Sequence, residues 1–304
     1  MQNDIIQTQG LSKKYGKKFA IKNINAHIKP GEIYGLIGRN GAGKTTLMKC
    51  INGQIQPTDG NIFVDGKAYK DQSAVRIGSL VESPNLYGDC SAYENLMYKC
   101  IALNIKDKKR HIAELLELVE LDKTGKKKAK QFSLGMKQRL GLALAMVSNP
   151  KVLMLDEPIN GMDPQGIAGI RETLVKLNRD LGTTIIISSH ILDELAKFAT
   201  RYGIIKDGEL ITEFSSDTLE NESLSSVTVK SPNINEVYEA LKEKYRLSQE
   251  NFIDANTLKI QDGAEKHREI SRFLYDKNIY LEEFRVDHMS LEDYFMHLTG
   301  GEKP

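Results

Sequence analysis

An unbroken apolar run, Ile33-Tyr34-Gly35-Leu36-Ile37, follows the strand-like stretch Ala20–Ile28 and the turn signal Pro30-Gly31. It leads directly into a glycine-rich loop and then an apolar-faced segment, Thr45–Ile51, so strand, loop and helix are predicted in that order. Residues Ser91–Leu121 read as helical. They open with Ser91 and Glu94 in capping-box spacing and carry Ile112, Leu115, Leu116 and Val119 on one face. A helix from about Ser133, a buried strand Val152–Leu155, a helix Ile167–Leu181 and a strand Thr184–Ile187 follow. Apolar strands alternating with helices specify an α/β, doubly wound core with a parallel sheet.

From Phe214 to Ser226 the chain turns polar, through Ser215-Ser216-Asp217, Asn221-Glu222-Ser223 and Ser225-Ser226. A linker is expected there, separating a domain at residues 1–215 from a small α+β C-terminal domain at 216–304. The second domain reads as strand Val227–Val229, helix Ile234–Lys244 with Val237, Tyr238 and Leu241 inward, and strand Thr257–Ile260. A helix near Ala264–Tyr275, a strand Tyr280–Val286 and a terminal helix capped by Ser290 complete it. No internal repeat is visible. The basic run Lys126-Lys127-Lys128 with Lys130 reads as a solvated loop.

Composition narrows the partners. In 304 residues, 42 Lys and Arg balance 41 Asp and Glu for a net charge of +1, so no global field holds nucleic acid and no nucleic-acid partner is expected. A polyanion partner would be local and small, such as a nucleotide. Cys50, Cys90 and Cys100 are too few and too irregularly spaced for a disulfide framework or a zinc ribbon, and they read as small buried residues in a reducing compartment. Met1–Gly10 lacks the basic and apolar stretches of a signal or transit peptide, and no run approaches the ~20 apolar residues of a membrane span. A cytoplasmic chain is expected, any membrane being spanned by another protein.

Two segments carry chemistry. Gly38-Arg39-Asn40-Gly41-Ala42-Gly43-Lys44-Thr45-Thr46 fits the phosphate-loop pattern and sits between a buried strand and a helix, as that mechanism requires. Backbone N–H groups and the helix N-terminus would cradle the phosphates, Lys44 would neutralise the β/γ oxygens, and the Thr45 hydroxyl would ligate Mg²⁺. Val152-Leu153-Met154-Leu155-Asp156-Glu157-Pro158 then places two carboxylates at the C-terminal end of a buried strand, where open α/β sheets hold ligands. Asp156 is assigned to Mg²⁺, and Glu157 to the water that attacks the γ-phosphate.

With these residues in place the chain resembles the ATP-binding subunits of ABC transporters over nearly all of residues 1–215. Phe132-Ser133-Leu134-Gly135-Met136-Lys137-Gln138-Arg139 looks like the family signature, in the order the family requires. A plain serine cap would explain Ser133 but not that order. Leu134 and Met136 depart from the commonest signature, in a form similar to that of bacterial drug and peptide exporters. The resemblance implies an ABC-type P-loop ATPase domain, a RecA-like core with a β-subdomain and a helical subdomain. It further implies that Ser133 and Gly135 contact the γ-phosphate held by another subunit, and that Tyr15 stacks on adenine. Asp163, in Gly161-Met162-Asp163, matches a loop communicating across the dimer, and His190 matches a histidine that reaches the γ-phosphate.

Glu82, in Ile77-Gly78-Ser79-Leu80-Val81-Glu82-Ser83-Pro84, stands where the family usually has a glutamine near Mg²⁺ and the membrane partner. A carboxylate there can still ligate Mg²⁺ or order the attacking water. This glutamate, with the tail Ser290-Leu291-Glu292-Asp293-Tyr294-Phe295 and Leu298-Thr299-Gly300, resembles the bacitracin-resistance and lantibiotic-immunity exporters. The resemblance thus implies an ATPase using ATP and Mg²⁺ as a head-to-tail homodimer on the cytoplasmic face of the membrane. Separate permease subunits would carry an antimicrobial peptide or drug outward. A soluble ABC-type ATPase acting on ribosomes or DNA is the competing class, disfavoured by the single phosphate loop and the lack of heptads. A kinase or GTPase would leave Phe132–Arg139 and His190 unexplained. The C-terminal domain regulates, stabilises a dimer or extends the packing.

Overall fold

A computed structural model describes residues 4–68, 77–222, 224–260, 266–288 and 290–300. The chain divides into two compact units between Ser216 and Asp217.

The first unit begins with β1 (Ile6–Tyr15), β2 (Lys18–Ile24), β3 (His27–Ile28), β4 (Ile33–Ile37), α1 (Lys44–Ile51), β5 (Asp59–Val64) and β6 (Lys67–Ala68). A layer of β7 (Ile77–Leu80), α2 (Ala92–Ala102), α3 (Lys108–Leu118) and α4 (Leu134–Met146) follows. The unit closes with β8 (Val152–Asp156), α5 (Pro164–Leu181), β9 (Thr184–Ser189), α6 (Leu192–Ala196), β10 (Arg201–Lys206) and β11 (Glu209–Ser215).

Two sheets share this unit. One is antiparallel and five-stranded, in the order β2-β1-β5-β6 with β3 beside β1. The other has six strands in the order β11-β10-β4-β9-β8-β7, parallel from β10 to β7 with β11 antiparallel at the edge. Every residue of β4, β8 and β9 is buried, which is why each carries an apolar run, Ile33–Ile37, Val152–Leu155 and Ile185–Ile187. Leu47, Met48 and Ile51 of α1 join one buried cluster with Ile6, Leu11 and Ile21 of the first sheet and Met154 and Ile186 of the second. Each such side chain contributes roughly 1.5–3 kcal/mol by leaving water, so the helix that follows the glycine-rich loop is held from both sides.

The expected helix Ser91–Leu121 is two helices. The Ser91–Glu94 capping box forms as expected, worth about 1 kcal/mol. The break comes at Asn104, whose φ of 51° is left-handed and whose neighbour Ile105 donates its N–H to Cys100 O at 2.9 Å. Asparagine tolerates this conformation, so the helix closes without glycine or proline. Strands β1, β5, β6, β7, β10 and β11 also go beyond the sequence reading, being short or mixed in polarity.

Tyr34 of β4 reaches Glu213 of β11 at 2.8 Å, passing over β10 at Gly203, where a Cβ would overlap the tyrosine hydroxyl. Glu213 also accepts the His27 N–H at 3.2 Å, and burial holds its carboxyl above the usual range. Cys50 and Cys100 are buried, as expected, whereas Cys90 is half-buried; all three are free thiols. Lys128 and Lys130, in the basic run, pair with Glu94 and Asp89 on the surface.

The segment read as a polar linker is structured. Phe214 is buried in β11, Ser216–Glu222 forms α7, and β12 (Leu224–Lys230) follows, Ser223 lying outside the described residues. Ser215, Ser216 and Asp217 lie where β11 gives way to α7, and such element ends have the same composition as a linker. The second unit continues with α8 (Ile234–Tyr245), β13 (Phe252–Asp254), β14 (Thr257–Ile260), α9 (His267–Asp276), β15 (Glu283–His288) and α10 (Leu291–Thr299). The expected start of α9 near Ala264 lies outside the described residues, and β15 begins at Glu283, not Tyr280. Its antiparallel sheet runs β13-β14-β12-β15, which with α8 and α9 gives the ferredoxin-like βαββαβ order. Val237 and Leu241 of α8 and Ile270 and Leu274 of α9 cover Val227, Val229, Leu258 and Ile260 on one face. Tyr238 packs at its edge. Among the described residues no helix is long and apolar enough to cross a membrane.

Candidate nucleotide-binding site

The glycine-rich loop turns from the end of β4 into α1 around Gly43, whose φ is 113°. A Cβ on Gly43 would lie 2.6 Å from the Ala20 carbonyl oxygen of β2, so glycine lets the loop press against the β1–β2 hairpin. No side chain caps α1, which leaves its first-turn N–H groups for an anion. Arg39, Asn40 and Gly41 are exposed, Ala42 is buried, and Thr45 and Thr46 are half-buried. Lys44 is 6% exposed, and its Nζ donates to Gly38 O at 2.5 Å and Arg39 O at 3.3 Å. The ammonium is thereby held over the loop.

Asp156, at the end of β8, is buried and accepts the Thr45 hydroxyl at 2.6 Å on one oxygen and the Ser188 hydroxyl at 2.6 Å on the other. Glu157 follows in a left-handed conformation, φ 49°. Its Oε2 lies 2.7 Å from His190 Nδ1 and its Oε1 lies 3.5 Å from Lys44 Nζ. Oε1 is buried and has no hydrogen-bond partner, a polar atom shaped to receive one. The contact uses His190 Nδ1 and leaves Nε2 as the ring's other hydrogen-bonding nitrogen. Lys44, Thr45, Asp156, Glu157 and His190 thus gather at the C-terminal ends of β4, β8 and β9.

Thr45 and Asp156 are hard oxygen donors in direct contact. Among the described residues no three His, Cys, Asp or Glu side chains form a preformed cage. That combination fits Mg²⁺, which is bound through one or two protein oxygens together with substrate phosphates.

Other expected residues lie around this centre. Tyr15 ends β1 on the hairpin that abuts the loop, 54% exposed, with Lys13 Nζ 5.2 Å from its ring centroid. Ser133 caps α4 by accepting the Met136 N–H at 3.3 Å. Gly135 faces Met162, and Leu134 faces Gly161, so the start of α4 packs on the segment leading to Asp163. Asp163 in turn caps α5, accepting the Gly166 N–H at 3.2 Å. Ser133, Gly135 and Asp163 thus lie where the start of α4 meets the segment leading into α5, while Tyr15 lies on the β1–β2 hairpin. Glu82, φ 66°, pairs with Lys49 of α1, on the helix face that also carries Thr45. Ser188 is the site residue that sequence reading passed over. Its signal is a polar residue ending the run Ile185-Ile186-Ile187.

A cavity of about 990 Å³ opens beside β7, lined by Val81, Pro84 and Tyr87 with Tyr98 of α2 and Leu144 of α4. Tyr87 and Tyr98 meet edge to face at 5.4 Å, and Tyr87, Ile101 and Leu103 are exposed nearby.

Comparison with known proteins places these features. Residues 21–160 match the ABC transporter family. The chain is 38% identical to the bacitracin transport ATP-binding protein BcrA of Enterococcus faecalis over 98% of its own length and 97% of that protein's. It is 42% identical to the lantibiotic transport ATP-binding protein SrtF of Streptococcus pyogenes over 71% of this chain and 93% of that one. An ATP-binding cassette solved as a dimer in a post-hydrolysis state with ADP and phosphate superposes with a TM-score of 0.64 at 27% identity, covering 69% of this chain and 98% of that one.

Proposed function

This chain belongs to the ABC transporter family as an ATP-binding subunit with ATPase activity, and we propose that it powers export of an antimicrobial peptide or related drug through separate permease subunits. The observation that carries the catalytic half is the placement of Glu157, with one oxygen held by His190 and the other buried, unbonded and facing Lys44. Similarity along the whole length of a bacitracin transport protein supports the cargo class.

In this reading the loop Gly38–Thr46 and Lys44 bind the phosphates, and Tyr15 stacks under the adenine. Thr45 and Asp156 would hold Mg²⁺, and Glu82 would be a further candidate ligand. A Mg²⁺ held there would supply charge neutralisation for the bound phosphates. Glu157 takes a proton from water as that water attacks the γ-phosphorus. The bond from the γ-phosphorus to the bridging oxygen breaks, giving ADP and inorganic phosphate. His190 fixes Glu157 and turns Nε2 toward the γ-phosphate.

A second copy supplies Ser133 and Gly135 at the N-terminus of its α4, so two ATP molecules close a head-to-tail homodimer, and Asp163 links the two sites across it. The permease docks in the cavity beside β7, where exposed aromatics rim a concave surface. The protein then works peripherally, on the cytoplasmic face of the membrane. Residues 1–215 are the ATP-binding domain and 216–304 an accessory domain.

Glu157→Gln tests the catalytic reading. The variant is expected to bind ATP, to lose turnover by about 10²–10⁴-fold and to accumulate as a dimer with ATP. Normal turnover would remove Glu157 as the base, and a monomer with ATP bound would remove the dimer. For the cargo, cells lacking this protein should become sensitive to bacitracin or a lantibiotic; unchanged sensitivity to both counts against that class.

A further inference from the structure

The parallel register of β8 and β9 sets Asp156 beside Ser188. Ser188 is 0% exposed, and its hydroxyl makes two contacts at once. It donates to Asp156 Oδ1 at 2.6 Å and accepts the Glu157 N–H at 2.9 Å, while the Ser188 carbonyl accepts the same N–H at 3.2 Å. A buried hydroxyl is costly unless it is bonded, and here both bonds go to the two carboxylate residues of the site. The three residues before it in β9, Ile185 to Ile187, are aliphatic and buried.

Two consequences follow from these contacts. A carboxylate turns as a rigid plane, so fixing Asp156 Oδ1 aims Oδ2 at Thr45, where it lies 2.6 Å from the hydroxyl. Glu157 adopts φ 49°, a strained conformation for a residue other than glycine, which persists when its surroundings hold it. The Ser188 clamp on its N–H supplies that hold and sends the side chain toward Lys44 and His190.

We propose that Ser188 is a positioning residue that orients Asp156 and Glu157 together and thereby sets the Mg²⁺ affinity of the nucleotide site. It acts through the carboxylates, as the outer hydrogen-bond partner of a metal ligand does. The inference rests on the reading of Asp156 as the Mg²⁺ ligand.

The test is an equilibrium titration of the full-length protein with a fluorescent ADP analogue, in EDTA and across a Mg²⁺ series. Ser188→Ala is expected to raise the Mg²⁺ concentration at half-effect about tenfold, with unchanged affinity in EDTA. Ser188→Cys keeps the shape with a weaker donor and shifts the midpoint in the same direction, which preserves the reading if the alanine variant fails to fold. Equal loss of affinity in EDTA and in Mg²⁺ overturns the proposal, since the residue would then be structural. An unchanged midpoint in the Ser188 variants, with a shifted one in Asp156→Asn, also overturns it while leaving Asp156 as ligand. An unchanged midpoint in Asp156→Asn overturns the ligand reading itself, and the role of Ser188 falls with it.

Discussion

Glu157 Oε2 and His190 Nδ1 meet at 2.7 Å across the ends of the adjacent strands β8 and β9. The carboxylate that faces Lys44 is therefore fixed from the opposite side by the ring. His190→Ala is expected to leave nucleotide affinity within a few-fold of the wild type and to slow single-turnover hydrolysis by about 100-fold or more. Hydrolysis at the wild-type rate would show that the ring is dispensable.

Gly43 combines a φ of 113° with close approach to the Ala20 carbonyl oxygen. Gly43→Ala adds both backbone strain and a steric clash, together about 1–3 kcal/mol. Calorimetry should show a lowered melting temperature together with lost ADP binding. Retention of both would mean that the loop accommodates a side chain.

The exposed pair of Glu82 with Lys49 is worth under about 1 kcal/mol, so breaking it leaves the fold intact. Glu82→Gln should retain ATP turnover while altering its dependence on Mg²⁺ or pH. Complete loss of turnover in a folded variant would show that this chain requires the carboxylate.

Burial holds Glu213 above the usual carboxylate range, opposed by its hydrogen bonds from Tyr34 and the His27 N–H. The folded chain therefore keeps this proton to a higher pH than the unfolded chain does. Stability is lost as pH rises from the unfolded glutamate value, about 4.3, through the folded one. Glu213→Gln cannot ionise, so the stability difference should move in favour of the variant over that window and then level off. Urea unfolding of both proteins from pH 4 to 8 measures it; a difference flat with pH would show that Glu213 titrates normally.

Local sequence specified much of the first unit because its signals are local. β4, the glycine-rich loop and α1 read as a strand, a phosphate loop and a helix. Ser91 and Ser133, and Ser290 in the second unit, each cap the helix that their spacing announces. The break at Asn104 escaped because a left-handed asparagine leaves no proline or glycine mark, and the polar stretch at α7 misled because linkers and helix ends share composition.

What the sequence determined by itself is the order of chemical parts, from Lys44 and Thr45 through Ser133, Asp156 and Glu157 to His190, since each lies in a short contiguous pattern. The tertiary structure decided which of them touch. Parallel strands far apart in sequence end side by side, so register alone joins Asp156 to Ser188 and Glu157 to His190. It likewise decided the pairings of Glu82 with Lys49 and Tyr34 with Glu213. Such contacts depend on strand order and packing between distant segments, and hydrophobic periodicity encodes neither.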